Sequence, residues 1–416
     1  MSEEWKTETL EELCDFRNGL WKGKKPPYVE VGIIRNTNFT KDGFLDDSDI
    51  AYHDVEVKQF EKRRLEYGDL ILEKSGGGPK QPVGRVIPFE MEEGEFSFSN
   101  FTSVIRIKDK AKLDFQFLHR CLLHYYISGV TETMQRRSTG IRNLDFKTYK
   151  QLQIPTPPKA EQKRIVAILD EAFGAIAKAK RIAEKNLSNA IELFDSYLNR
   201  VFSKLWDSNE IVTMADLATS ITDGDHNAPP KSETGLPFIT ISNIDKSTRK
   251  IDFKDTFKVP RQYVDGLNPT RKPRRNDVLY TVTGSFGIPV LVDHDDEFCF
   301  QRHIGLIRPR ENVDSKWLYY LCLTPQIFGQ ASERATGTAQ KTVSLKVLRT
   351  LKVPNVRHED QITVVPLLEK ASQESAQLKR LYQRKLIALD ELKQSILQKA
   401  FTGQLTNKSP ELEAVP

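Results

Sequence analysis

The sequence predicts an α+β protein with an internal repeat: two similar mixed α/β modules separated by two long antiparallel α-helices, paired as a coiled-coil spacer with pseudo-two-fold symmetry. Three observations predict it. The segment LQIPTPPKAEQKRIVAIL from Leu152 returns as LKVPNVRHEDQITVVPLL from Leu351, and the same offset of 199 relates ELFDSYLNRVF from Glu192 to ELKQSILQKAF from Glu391. Behind each copy, apolar residues recur at alternating steps of three and four, as in a heptad helix. Ahead of each copy, short alternating apolar runs are broken by Gly, Pro, Asn and Asp, the pattern of strands and turns.

Taken in order, residues 1–150 form the first module, with strand-like YGDLILEK and TSVIRIK and a helical DFQFLHRCLLHYYISG. Residues 151–206 form the first helical region. Its seam runs through Ile165, Leu169, Ala172, Ile176, Ala179, Ala183, Leu187, Ala190, Phe194, Leu198, Val201 and Leu205, with Lys, Arg and Glu on the other face. Residues 207–350 form the second module, with LPFITIS, DVLYTVTG and the helical SKWLYYLCLTPQIFGQ. Residues 351–407 repeat the helix, with a seam of Leu368, Ala371, Ser375, Leu378, Tyr382, Leu386, Leu389, Leu392, Ile396 and Ala400, and 408–416 form a tail. Pro366 stands where the first copy has Ala167, which predicts a restart or kink there. Landmarks also match between the modules: Gly19 faces Gly224, Asn38 faces Asn243, GDLI from Gly68 faces NDVL from Asn276, and FSFSNFTSVIRI from Phe96 faces FCFQRHIGLIRP from Phe298.

Each predicted helix is a rod of about 65–70 Å. Leaving some ten seam side chains in water would cost about 1.5–3 kcal/mol each, so the stripe needs a partner. A heptad helix alone most simply mediates oligomerisation. The duplication favours self-pairing instead, because the module between the copies can return the chain antiparallel and place the modules at opposite ends.

A chain of 416 residues has room for two or three domains, and 38% hydrophobic with 29% charged residues is ordinary for a globular protein. No run approaches the roughly 18 apolar residues of a membrane helix, and MSEEWKTETL has no basic region followed by an apolar run, so a cytoplasmic location is expected. Cys14, Cys121, Cys299 and Cys322 are far apart, which argues against a disulfide framework or zinc knuckle. The net charge of +5, from 62 basic and 57 acidic residues, permits a local concentration of Lys and Arg without requiring nucleic-acid binding.

The runs IPTPPKAEQKRIVAILD and VPNVRHEDQITVVPLLEK, with the ending LDELKQSILQKAFTGQL, resemble the conserved regions of specificity (S) subunits of Type I restriction-modification systems. The second copy departs from the first over Asn355–Asp360. The resemblance implies a non-catalytic chain with two target-recognition domains. Each would contact one half of an interrupted asymmetric double-stranded DNA site, with the helical spacer setting the gap. It also implies two modification (methyltransferase) subunits and restriction (translocase/nuclease) subunits as partners, which carry S-adenosylmethionine, ATP and Mg2+; no cofactor is expected in this chain.

Phosphate contacts position a protein on DNA and base edges specify sequence, so Lys, Arg, Asn, Ser and loop amides are the candidates. The first module offers Lys22, Lys24 and Lys25; Arg35, Asn36 and Asn38; Lys74, Ser75, Gly76, Gly77 and Lys80; and Arg136, Arg137, Arg142 and Asn143. In the second the candidates are His226, Asn227 and Lys231; Ser242 and Asn243; Arg271, Lys272, Arg274 and Arg275; and Thr283, Gly284 and Ser285. Glycines let backbone amides approach a phosphate, although runs of Lys and Arg more often form a plain solvated face.

Catalytic signals are weak. Gly19 to Lys25 is one residue short of a phosphate-binding loop and lacks its hydroxyl. Lys25-Pro26-Pro27-Tyr28 puts a donor-only lysine where an adenine methyltransferase needs an acceptor. Glu56-Val57-Lys58 is a lone fragment of a nuclease motif, and His124, His226, His294 and His303 lack metal-ligand spacing. The alternatives are a stand-alone DNA-acting enzyme with its carboxylates hidden in the modules, or a coiled-coil scaffold without DNA specificity.

Overall fold

A computed structural model describes residues 5–20, 23–78, 81–138, 141–226, 228–338 and 340–406, with Arg137 and Ser138 described as backbone only. It divides into two units, one made of residues up to Ala183 with those from Arg384, the other of Glu184–Gln383.

In the first unit an antiparallel sheet runs in the order Cys14–Asn18, Thr102–Ile107, Leu70–Glu73, Val86–Pro88. A second sheet orders Ala51–Glu56, Tyr28–Ile34 and Phe96–Phe98, the last pair parallel. Thr7–Thr9 pairs antiparallel with Gln153–Pro155 and so closes the module at the root of its long helix. The second unit repeats this plan. Its four-stranded sheet orders Ala218–Asp223, Ile304–Pro309, Val278–Thr281 and Pro289–Leu291. Phe257–Val259, Leu236–Ile239 and Cys299–Phe300 form the smaller sheet, again with a final parallel pair, and Ile211–Thr213 pairs with Lys352–Pro354.

The residues that recur in both modules hold this frame. A Cβ on Gly19 would lie 1.9 Å from the Ser99 carbonyl oxygen, and one on Gly224 would lie 2.0 Å from that of Phe300. Only glycine admits so close an approach of backbone. Gly68 and its counterpart Asn276 both take left-handed φ, +88° and +74°, which glycine and asparagine tolerate best. The next residue in each copy is a buried carboxylate. Arg106 grips Asp69 at 2.7 and 2.6 Å, and Arg308 grips Asp277 at 2.9 and 2.7 Å.

The repeated Gln of the conserved segments locks helix to module. Gln162 accepts the Asp114 N–H at 2.8 Å and donates to the Lys112 and Pro157 carbonyls, while Gln361 accepts from Asp314 N–H at 2.8 Å and donates to the Val356 carbonyl. Both Asp114 and Asp314 also cap the helix that follows them.

The long helices are Lys159–Ser208 and His358–Phe401, of 50 and 44 residues. Within the first unit, Ile165 and Leu169 share a core with Leu397 and Ala400, Lys393 lies over the Phe173 ring, and Lys180 pairs with Asp390. Within the second, Phe194 and Leu198 share a core with Leu368, and the Ser375 hydroxyl donates to the Ala190 carbonyl at 2.6 Å. In each unit one helix's numbers rise as the other's fall, so the pairing is antiparallel.

Every predicted seam residue of the first helix is buried or half-buried. The second requires two corrections. Leu392 is 46% exposed, and the largely buried Lys393 takes its place with its Nζ over the Phe173 ring and 3.0 Å from Asp42. Pro366 does not restart the helix but sits inside it. Pro366 and Ile362 are both exposed, so the carbonyl of Ile362, which loses its helical donor, lies on a turn that water reaches. Among the described residues no helix is long and apolar enough to cross a membrane.

Candidate nucleic-acid interface

Three separately predicted segments of the first module meet at one place. Ser75–Gly77 pairs with Ile141–Leu144, which pairs in turn with Gln135–Ser138. This joins the glycine run to the arginine hairpin. The Ser75 hydroxyl lies 2.5 Å from Asn143 Oδ1, and Asn36 Nδ2 donates to the Ser75 carbonyl at 2.7 Å, which brings in the third segment. Beside them Lys74 donates to Asn18 Oδ1 at 3.0 Å, and burial holds its ammonium below the ordinary lysine range.

Some predicted contacts serve the fold instead. Asn38 is 1% exposed; its Oδ1 accepts the Arg35 N–H at 2.9 Å and its Nδ2 donates to the Asp46 and Asp49 carbonyls. Asn243, also buried, accepts from the Thr240 N–H at 2.9 Å and hydroxyl at 2.7 Å. Both lock a short turn and leave nothing for a base, which corrects their assignment as DNA contacts. Gly77 is likewise buried, and a Cβ there would lie 2.6 Å from the Gln81 carbonyl oxygen, so internal packing demands this glycine. Gly76, with φ +99°, stays exposed.

In the second module the corresponding loop meets Lys341 and Thr342. Gly284 N–H donates to the Lys341 carbonyl at 3.0 Å, the buried Thr283 bridges to Thr342, and the Ser285 carbonyl accepts from the Thr281 hydroxyl at 2.8 Å. Gln340 and Lys341 therefore lie beside Gly284 although the sequence reading did not select them. Their signal was the TGTAQK run, which occupies the place of STGIRN in the first module.

The basic cluster of the second module is largely neutralised at home. Arg271 lies 3.5 Å from both Asp223 and Asp225, Lys272 donates to the Asp265 carbonyl, and Arg275 pairs with Asp295 at 3.3 Å. His226 contacts Asp223 at 2.8 Å. Among the described residues the Arg274 guanidinium has no partner, and Arg274 is exposed. Lys231 sits over the Phe257 ring at 5.4 Å, and Ser242 is exposed, 2.7 Å from the Thr240 hydroxyl.

In the first module Arg35 donates to the Asp49 carbonyl at 3.0 Å, Arg136 pairs with Asp145 at 2.7 Å yet stays exposed, and the half-buried Arg142 lies on the central strand of the hairpin sheet. Lys24 and Lys25 are exposed, their backbone N–H groups directed to Glu56 at 3.2 and 3.3 Å. Lys22, Lys80, Asn227 and the Arg137 side chain lie outside the described residues.

Three further side chains were not selected as DNA contacts from the sequence. Phe101 is 47% exposed on the loop between Phe96–Phe98 and Thr102–Ile107, and the frame of the repeat places Arg302 and His303 at the positions of Asn100 and Phe101. The signal available was constant strands around a changed loop. The four cysteines are buried, and burial pushes the Cys14 and Cys299 thiols up to about 12, which keeps them protonated and unreactive.

One frame built twice, each copy presenting its own polar loop set, defines a double-headed recognition protein. The model of the Type I restriction modification DNA specificity domain matches residues 2–186 and 207–384, and the chain belongs to this family of non-catalytic recognition subunits. It is 22% identical over 429 residues to the putative type I restriction enzyme MjaX specificity subunit of Methanocaldococcus jannaschii, covering 98% of this chain and 95% of that one. It is 23% identical over 309 residues to the type I restriction enzyme EcoBI specificity subunit of Escherichia coli, covering 68% and 64%. Its fold is similar to a chain solved in work on complex assembly and conformational transition of the type I R-M system, with TM-score 0.77, 20% identity and coverage of 97% and 99%. The HsdS subunit from Thermoanaerobacter tengcongensis is similar at TM-score 0.65 and 20% identity, covering 97% and 98%.

Proposed function

We propose that this chain binds a bipartite, interrupted, asymmetric DNA site and directs adenine methylation and restriction by partner subunits. One observation carries the reading: the frame residues are shared while the loop residues differ. Gly19 and Gly224, Asp69 and Asp277, Arg106 and Arg308 recur, whereas Asn36 meets Ile241 and Phe101 meets His303. Two modules of one shape with different loop chemistry suit two unlike half-sites, and a stiff helical spacer suits a fixed gap between them.

On this reading Lys24, Lys25, Arg136, Lys231 and Arg274 hold phosphates. Ser75, Gly76, Asn143, Ser242, Gly284 and Ser285 supply polar contacts beside them. The long helices leave large apolar side chains exposed, Ile182, Ile387 and Leu392 in the first unit and Ile191, Leu193 and Leu381 in the second. Such apolar exposure suits docking by two modification subunits. S-adenosylmethionine, ATP and Mg2+ belong to the modification and restriction subunits.

Long-read methylation mapping after co-expression with the cognate modification subunit tests the proposal. The expected result is methylated adenines in one interrupted motif, its unlike half-sites about one helical turn apart centre to centre. Exchange of residues 207–350 for another module should alter one half-site only. Methylation without a defined motif would favour a scaffold, and methylation or cleavage by the purified chain alone would favour an enzyme.

A further inference from the structure

We propose that Arg35, Asn36 and Ser99 form a base-reading pocket in the first module that selects adenine at one position of its half-site. The inference rests on the DNA-reading function above and names where one base is recognised.

A cavity of about 510 Å³ opens in the first unit, lined among others by Leu20, Ile33, Arg35, Asn36, Ser99 and Phe101. Buried polar atoms in folded proteins almost always have a partner. Of the buried side-chain polar atoms without one among the described residues, three belong to this lining: Arg35 Nε, Asn36 Oδ1 and Ser99 Oγ. Three such orphans in the lining of one cavity leave hydrogen-bonding capacity that the described fold does not use.

The surrounding fold fixes what each group offers. Asn36 Nδ2 faces the Ser75 carbonyl at 2.7 Å. A carbonyl only accepts, so the amide nitrogen must be the atom on that side and Oδ1 is left as a pure acceptor. Arg35 Nη2 is held by the Asp49 carbonyl at 3.0 Å, which leaves Nε–H as a donor. The Ser99 hydroxyl serves either way. An acceptor with a neighbouring donor complements the major-groove edge of adenine, whose N6 amine donates and whose N7 accepts. Guanine and thymine would set O6 or O4 against Asn36 Oδ1, and cytosine would leave the Arg35 donor unmet. At the rim, a Cβ on Gly76 would come within 3.0 Å of Asn36 Nδ2 and 3.6 Å of the Phe101 ring, so this glycine keeps the mouth open.

The repeat supplies an independent argument. Counting from the Asn38–Asn243 and Phe96–Phe298 landmarks, the second module has Thr240, Ile241, Gln301 and His303 where the first has Arg35, Asn36, Ser99 and Phe101. Ile241 has no hydrogen-bonding group and packs against its own module's core. The turn lock three residues beyond Arg35 is retained while the lining is replaced, as two readers of unlike half-sites require.

The test maps adenine methylation by the full complex carrying Asn36→Ala. Discrimination for adenine should fall about tenfold at one position of the half-site read by the first module, the loss of one hydrogen bond. The other half-site should stay unchanged. A motif indifferent to Asn36→Ala would overturn the pocket, as would a change in both half-sites. Should Asn36→Ala not melt cooperatively, Ser99→Ala decides by the same outcomes. A wild-type complex without any defined motif would sink the DNA-reading function itself, whereas an intact motif insensitive to these changes would sink only the pocket.

Discussion

Gln162 and Gln361 each tie a long helix to its module through a buried amide whose oxygen and nitrogen are both engaged. Truncation would leave a backbone N–H and at least one carbonyl unpaired inside the protein. Gln361→Ala is therefore expected to lower the stability of the second unit by about 1–3 kcal/mol, measured by denaturant unfolding. The same logic explains why Asn38 and Asn243 recur: a residue repeated between diverged modules here marks a bond to the backbone of its own module. Sequence alone displays the recurrence, but a repeated polar residue looks the same whether it holds a turn or touches a ligand. That ambiguity put Asn38 and Asn243 among the DNA contacts, and burial resolved it.

At the scale of elements, the heptad pattern predicted the helices and their first seam because the periodicity of apolar residues follows from helix geometry. It misplaced part of the second seam, since Leu392, Ile396 and Leu397 are all apolar and only one rotation of the helix buries Leu397. Leu397→Ala should cost about 2–5 kcal/mol of first-unit stability. Leu392→Ala should stay within about 0.5 kcal/mol in the isolated chain, with both read by chemical denaturation. Equal losses from the two would contradict this seam. Pro366 escaped expectation for a related reason: a proline costs a helix most where its lost hydrogen bond is sealed from water, and here that turn is exposed.

Across the molecule, 62 basic side chains yield a net charge of only +5, and much of the arginine is spent internally. Arg85, Arg106, Arg271 and Arg308 all bind carboxylates of their own modules. DNA affinity should therefore come from a minority of exposed cations. Arg274→Ala is expected to reduce the slope of log affinity against log salt by about 0.9, the release of one counterion. Arg271→Ala should leave that slope nearly unchanged, because its charge is already neutralised. Binding isotherms for the assembled complex at several salt concentrations check both, and a reversed order would show that the fold's internal pairs open on DNA.

The sequence by itself determined the duplication, the heptad rods, the mixed α/β modules and the segments from which a reading surface is drawn. These are carried by periodicity and by self-similarity along the chain. Only the tertiary structure decided that the RNTN turn, the glycine run and the arginine hairpin meet, that Arg271 is neutralised while Arg274 is not, and that Phe101 stands at the rim of a cavity. Whether a side chain is spent or free depends on neighbours far away in sequence, brought close by sheet pairing that no local pattern encodes.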